Sequence, residues 1–134
     1  LDQLHRYLNA NDDLQDVCAY YSQFPILVQL LTVFADLHED RFNRALLLAW
    51  GSWFISRASG ESQIKRRVLF TACMFHEVGL LFVTDQQAER YTKENQERLV
   101  LISSHALRKV PNLPDGVVKA VIGINRYPVS TGFM

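Results

Sequence analysis

The chain has 134 residues and no net formal charge, because 14 lysines and arginines balance 14 aspartates and glutamates. Hydrophobic residues make up 49% of it, which is enough for one domain with a buried core. Without net charge there is no general attraction for nucleic acid or acidic membranes, so neither is expected as a partner. Cys18 and Cys73 are too few for a disulfide framework and favour a reducing compartment, the cytoplasm.

No segment is long enough to span a membrane. The best candidate, residues 45–56, has 12 residues between two arginines, whereas a spanning helix needs about 20. The N-terminal LDQLHRYLNANDD lacks the charged and apolar regions of a signal peptide. The chain begins with Leu1 rather than Met, which suggests a piece of a longer protein.

Apolar residues recur with helical spacing along nearly the whole chain, which predicts an all-α fold of about seven helices. Asn11, followed by two aspartates, predicts the start of one helix. Pro25 suits the first turn of the next, PILVQLLTVFADL, which is apolar almost all round, so we expect it to be central. In HEDRFNRALLLAWGSWFISRAS one face, including Trp50 and Trp53, is apolar, so this helix should be long and deeply packed.

The second half of the chain follows the same pattern. The Ser59-Gly60 pair predicts the end of the long helix, and residues 62–75 form the next, with the Lys65-Arg66-Arg67 run on its solvated side. Gly79 is expected to break or close that helix. A further helix begins at Thr92 and runs to about residue 110. The turn PNLPDG, the short helix VVKAVIGIN and the loop RYPVSTGFM follow.

The histidines raise the question of a metal site. His76 and Glu77 lie side by side in the apolar run VLFTACMFHEVGLLFV, where both cost free energy to desolvate unless something pairs with them. His38, His76 and His105 lie on three predicted helices, so all three could point into one central cavity. Three imidazoles and a carboxylate suit Fe, Mn, Zn or Ni, and a bound metal can acidify a water for attack on phosphate. Alternatively, these are core histidines bonded to carbonyls or hydroxyls, and His5 is on the surface.

The order of the motifs resembles the HD superfamily of metal-dependent phosphohydrolases, and within it the HD-GYP domains. The resemblance rests on His38 at a helix start, then FHEVG, SSHALRKV and VIGINRYPVSTGFM. It covers residues 38–134 and makes residues 1–37 the lead-in helices of the same single domain. It implies an HD-domain-like helical bundle, a centre of two or three Fe or Mn ions, and hydrolysis of cyclic di-GMP in bacterial signalling.

The resemblance also implies which residues act. Four residues match the family's metal ligands: His38, His76, Glu77 and His105. In the family, the GYP loop is associated with contacts to diguanylate cyclase (GGDEF) domains. The three residues at that loop form a candidate protein-interaction loop: Gly132, Phe133 and Met134.

Several positions depart from the family's pattern. Glu77 replaces an Asp that bridges two metals, and its extra methylene moves the carboxylate by more than metal sites tolerate. Leu80 stands where the family has a Lys that helps hold the substrate phosphate. Ile124 and Asn125 stand where the family has a His-His pair, so up to two ligands are missing, and Met134 replaces the Pro of GYP.

Three hypotheses follow. A two-metal hydrolytic centre needs about six to eight protein ligands, and four remain here. We therefore expect a non-catalytic signalling or interaction module that binds a signalling partner or a cyclic dinucleotide. The second hypothesis is a phosphohydrolase acting on cyclic di-GMP or another phosphoester, with one Fe or Mn ion. The third is a helical domain without a ligand, in which the histidines belong to the core.

Overall fold

The computed structural model describes residues 10–83 and 93–126, and in these ranges the protein is all-helical, without strands. The elements are α1 (Ala10–Tyr21), α2 (Pro25–Leu37), α3 (Glu39–Ala58), α4 (Gln63–Phe75), a 3₁₀ helix (Val78–Phe82), α5 (Lys93–Arg108) and α6 (Asp115–Arg126). Six α-helices and one 3₁₀ helix in the described ranges confirm the predicted all-α fold of about seven helices.

Local signals set the ends of α3 as the sequence predicts. Gly60 has a φ of 76°, which is the left-handed region that favours glycine. Its N–H donates to the carbonyl of Arg57 at 3.0 Å, and the N–H of Glu61 donates to that of Ser56 at 3.0 Å. These two bonds satisfy carbonyls at the end of the helix, in the Schellman arrangement. The N-cap Ser62 then begins α4.

The core lies around α4, which packs against α3 and α6. Its Phe70 ring is an aromatic centre, with the ring centroids of Trp50 at 4.9 Å, Trp53 at 5.9 Å and Tyr21 at 6.1 Å. Trp53 is fully buried, which confirms its predicted place in the core. Because α1 and α2 also contribute side chains to this cluster, the lead-in helices share one core with the later ones.

Helix α2 is not central, so that prediction is wrong. Only Leu27 and Phe34 are buried among its side chains. Four of its large apolar side chains are between 43% and 63% exposed: Ile26, Val28, Val33 and Leu37. An apolar composition around a whole helix therefore does not mark the core here, because α4 with its mixed sequence occupies that position.

Gly79 has a different role from the predicted one. Helix α4 already ends at Phe75, and Gly79 lies buried inside the 3₁₀ helix that follows. A Cβ at this position would lie 2.8 Å from the carbonyl oxygen of Leu99 and 2.8 Å from Oγ of Ser103. The N–H of Gly79 also donates to that hydroxyl at 2.8 Å. Glycine is thus needed for the close approach of the 3₁₀ helix to α5.

Among the described residues, none of the helices is by itself both long and apolar enough to cross a membrane. The consecutive segments Asp12–Tyr21 and Pro25–Leu37 reach the required length and composition only together, and they are bent by 112°.

Candidate functional site

The His76-Glu77 pair lies at the junction between α4 and the 3₁₀ helix. His76 is the C-cap of α4 and Glu77 is the N-cap of the 3₁₀ helix. Their side chains keep 15% and 14% of their surface exposed, so both are mostly desolvated. At such a junction the backbone no longer follows the α-helix, and adjacent side chains can point towards each other.

The carboxylate of Glu77 is paired with an arginine. Nη1 of Arg41 donates to Oε2 of Glu77 at 2.5 Å, and the Arg41 side chain is only 16% exposed. Arg41 lies near the start of α3, whereas Glu77 lies 36 residues further along the chain. A charge-assisted bond in such a buried place holds both groups and balances their charges.

The imidazole of His76 has a defined orientation. Its Nδ1 lies 2.7 Å from the carbonyl oxygen of Cys73, and a carbonyl can only accept, so Nδ1 carries the proton and donates. In the neutral ring, Nε2 therefore keeps its lone pair, and it lies 3.7 Å from Oε1 of Glu77. Metal-binding histidines are commonly held in this way, with the second ring nitrogen bonded to a carbonyl. The same bond equally satisfies a histidine without a metal.

His38 is the single residue between α2 and α3 and the N-cap of α3, as predicted for a residue that opens a helix. Its backbone N–H donates to the carbonyl of Phe34 at 2.8 Å, and its carbonyl accepts from the N–H of Phe42 at 2.8 Å. Its half-buried ring packs against Phe34, with 5.8 Å between the ring centroids. The fold thus gives His38 a backbone role at the junction and a ring contact in the core.

His105 has an exposed side chain on α5. The two serines before it, Ser103 and Ser104, are buried instead, and Oγ of Ser103 accepts the N–H of Gly79. Ser103 therefore meets the 3₁₀ helix through its hydroxyl, whereas the Ser104 hydroxyl donates to the Leu101 carbonyl within α5. In SSHALRKV the histidine was predicted as a metal ligand, and no role was predicted for the two serines before it.

Of the four candidate ligands, the structure brings His76 and Glu77 together, and adds Arg41 to them. Within residues 10–83 and 93–126, no group of three His, Cys, Asp or Glu side chains is placed to hold a metal ion. As placed, the Glu77 carboxylate binds the Arg41 guanidinium and the His105 side chain is exposed. Binding of a single ion stays a prediction.

Two of the positions at which the chain departs from the HD-GYP pattern, Leu80 and Ile124, have described side chains. Leu80 is buried, with 4% of its surface exposed, and Ile124 is 40% exposed on α6. Neither side chain carries a group that binds phosphate or a metal. The side chain of Asn125 and the candidate interaction loop Gly132–Met134 lie outside the described residues.

Sequence reasoning missed a second polar cluster, where α1 meets the facing ends of α3 and α4. Oδ1 of buried Asp13 accepts from Nε1 of Trp53 at 2.9 Å and also pairs with Arg57. Nearby, Nη2 of Arg67 donates to Oδ1 of Asp16 at 2.5 Å. The signal available in the sequence was the pair of aspartates on one face of α1, three residues apart.

Arg66 also belongs to this cluster, and its position differs from the solvated one predicted for the Lys65-Arg66-Arg67 run. Its guanidinium lies over the Trp53 ring, 4.0 Å from the ring centroid, and its Nε and Nη2 find no hydrogen-bond partner among the described residues. Burial, followed by the nearby charge of Arg57, lowers the pKa of Arg66, and Asp16 opposes the shift. Lys65 is exposed, whereas Arg66 and Arg67 are partly buried, with 30% of the Arg67 side chain exposed, so the fully solvated run is confirmed only at Lys65.

Comparison with models of protein families, with curated proteins and with solved structures finds no match for this chain.

Proposed function

We propose that this chain is a degenerate HD-GYP-like domain that acts as a non-catalytic signalling or protein-interaction module in the bacterial cytoplasm. Its place would be cyclic-dinucleotide signalling, with a signalling protein such as a diguanylate cyclase (GGDEF) domain as partner. The motif resemblance over residues 38–134 suggests the family. The contacts of Glu77 favour loss of the hydrolytic activity.

The observation that carries the proposal is the ion pair between Arg41 and Glu77. Glu77 stands where the resemblance places a carboxylate that bridges two metals. In this chain its negative charge is balanced by a guanidinium 2.5 Å away, in a place with little access to water. A metal would have to compete with this pair, and the competition costs the desolvated arginine its partner.

Leu80 adds to the same argument. It stands at the position of the phosphate-binding Lys of the family, but it is an apolar side chain in the core. Loss of one charge-stabilising group in an active site typically costs about 3 kcal/mol of transition-state stabilisation, or a factor of 10² to 10³ in rate. Both features argue against hydrolysis.

An assay for cyclic di-GMP hydrolysis tests the catalytic part of the proposal. The purified chain is incubated with cyclic di-GMP and added Mn²⁺ or Fe²⁺, and we expect no turnover above the metal-only control. Robust turnover that disappears in His76→Ala but persists in His5→Ala would refute the non-catalytic proposal.

Partner capture tests the interaction part. A GGDEF domain is the probe, and we expect it to bind the chain and to lose affinity for Phe133→Ala. The matched control is Phe82→Ala, because Phe82 is an exposed phenylalanine, 59% accessible, on the 3₁₀ helix. Equal recovery of the GGDEF domain by both variants and by the unmodified chain would argue against the loop at Phe133.

The alternative function is a phosphohydrolase with a single metal ion, and the orientation of His76 is the observation that favours it. The Cys73 carbonyl holds Nδ1, so Nε2 is available as a ligand atom. Elemental analysis of the purified chain separates the two proposals. About one Fe or Mn per chain, lost in His76→Ala and retained in His5→Ala, would support the alternative.

A further inference from the structure

Arg66 is a basic side chain without an acidic partner, at the corner where the end of α3 meets the start of α4. Its three basic neighbours each form an ion pair: Arg57 with Asp13, Lys65 with Glu61 at 3.3 Å and Arg67 with Asp16 at 2.5 Å. Within residues 10–83 and 93–126, the Arg66 side chain forms neither an ion pair nor a hydrogen bond. This corner therefore carries one positive charge more than its acidic residues balance.

The contact that holds Arg66 uses the face of its guanidinium and not the edges. The guanidinium carbon lies 4.0 Å from the centroid of the Trp53 ring, within the range of a cation–π interaction. The five N–H donors of an arginine point outwards in the plane of the group, so a contact with a ring leaves them unused. Nε and Nη2 are buried, and neither has a hydrogen-bond partner in the part of the chain that the structure describes. An unused buried donor costs free energy, which an oxygen acceptor would recover.

The surroundings of Arg66 favour an anion. Burial, followed by the charge of nearby Arg57, lowers the pKa of Arg66, and the opposing effect of Asp16 is smaller. The oxygens of Asp16 are also occupied, because Arg67 and Gln63 donate to them. Arg66 is the fourth residue of α4, and long side chains lean towards the N-terminus of their helix, where the dipole is positive. The potential around this guanidinium is therefore positive.

One buried carboxylate oxygen of the same cluster is also unpaired. Oδ2 of Asp13 has no hydrogen-bond partner among the described residues, whereas Oδ1 accepts from Trp53 and pairs with Arg57. The Asp13 side chain is only 5% exposed, so this oxygen does not face a ligand in solution. Direct pairing of Arg66 with Asp13 is the alternative that the experiment below has to separate.

We propose that Arg66 forms a binding site for a phosphate dianion, either the free ion or the phosphoryl group of a monoester. Nη1 is the one guanidinium nitrogen that is not buried, so the ligand approaches on that side, and Nη2 beside it supplies a second bond. A guanidinium binds phosphate well through two parallel N–H···O bonds. Because Trp53 already holds the group, binding orders little of the side chain, and this preorganisation favours affinity.

The phosphate site is separate from the His76-Glu77 pair. Arg66 and His76 are ten positions apart along α4 and its C-cap, which corresponds to about 15 Å. The inference therefore does not rest on the proposed signalling function, and either one can fail without the other.

Nuclear magnetic resonance of the ¹⁵N-labelled chain tests the site directly. The Nε–H of Arg66 is buried and shielded from exchange with water, so its resonance is the reporter, and its absence from the spectrum of Arg66→Lys assigns it. Inorganic phosphate is added at neutral pH and constant ionic strength, so that general screening does not change. We expect a saturable shift with a dissociation constant of about 1 mM, and no saturable shift with chloride. Phenyl phosphate is the second ligand: equal affinity assigns the site to the phosphoryl group, and loss of binding assigns it to the free ion.

Isothermal titration calorimetry with phosphate compares the variants. Arg66→Met should abolish binding, and Arg66→Lys, which keeps the charge but lacks the planar fork, should weaken it about tenfold. The matched control is Lys65→Met, because Lys65 is the exposed neighbour and already pairs with Glu61. This variant removes the same charge and should bind phosphate like the unmodified chain. Far-UV circular dichroism and the thermal unfolding midpoint establish that each variant is folded.

Four results would overturn the proposal. The first is the lack of a saturable shift up to about 50 mM phosphate. The second is undiminished binding by Arg66→Lys, since charge alone would then explain it, and the third is equal loss of binding in Lys65→Met. The fourth is an Arg66 resonance that moves in Asp13→Asn but not with phosphate, which would show that Arg66 pairs with Asp13 instead.

Discussion

Replacement of Gly79 by alanine is the most direct test of how the 3₁₀ helix sits on α5. The new Cβ would lie 2.8 Å from the Leu99 carbonyl oxygen, 2.8 Å from Oγ of Ser103 and 3.0 Å from the Ser103 nitrogen. Two of these three atoms belong to the backbone of α5 and cannot rotate away. The 3₁₀ helix must therefore move off α5 by several tenths of an ångström.

Two costs add up for Gly79→Ala. Overpacking of a tight core contact costs about 1–3 kcal/mol. The same displacement lengthens the buried hydrogen bond from the Gly79 N–H to the Ser103 hydroxyl, which contributes about 1 kcal/mol. We therefore expect the free energy of unfolding to fall by about 2–4 kcal/mol.

Urea unfolding followed by circular dichroism measures this change. Gly123→Ala is the matched control, because Gly123 lies inside α6 and a Cβ there would meet no atom within 4 Å. That variant should be more stable than the unmodified protein by about 0.5–1 kcal/mol, since alanine is the better helix former. Equal stability of Gly79→Ala and Gly123→Ala would refute the close approach of the 3₁₀ helix to α5.

Three further predictions concern the buried polar groups. Arg41→Met should lower the free energy of unfolding by about 2 kcal/mol, less than for a fully buried pair because both partners keep some exposure, and adding Glu77→Gln should restore much of it in the same urea experiment. Asp13→Ala leaves the buried indole N–H of Trp53 without an acceptor and should cost about 1–3 kcal/mol; no change in the urea midpoint would contradict that role. Burial raises the pKa of Tyr21 far above its ordinary value, so the folded state keeps a proton that the unfolded chain releases near pH 10. This contribution to stability is present below about pH 10 and falls as the pH rises above it, and Tyr21→Phe should reduce the loss of stability between about pH 9 and pH 11.

The fold was predictable where short-range signals set the helices. Pro25 in the first turn of α2, Gly60 after α3 and the PNLPDG turn before α6 each act through the backbone of a few neighbouring residues. The position of α2 was predicted wrongly, because the apolar content of one helix does not say which of its neighbours will cover it. That depends on long-range packing, which periodicity does not contain.

The candidate site was likewise predictable only where its contacts join residues that are close in the sequence. The cost of desolvating His76 and Glu77 led to the expectation that something pairs with them, and both do have partners. The carbonyl of Cys73 lies about one helical turn before His76, so this partner could have been predicted from the helix alone. The pairing of Glu77 with Arg41 could not be predicted, because no sequence pattern relates a residue near the start of α3 to one 36 positions later.

The group that balances the negative charge of Glu77 bears on the proposed function. A carboxylate with 14% exposure needs a counter-charge, and a metal and an arginine can each supply it. An arginine supplies it through a direct hydrogen bond, whereas a metal would also bring a bound water that can attack phosphate. If the chain is the degenerate HD-GYP-like domain proposed above, the pair with Arg41 would keep the acid of that motif as part of the structure.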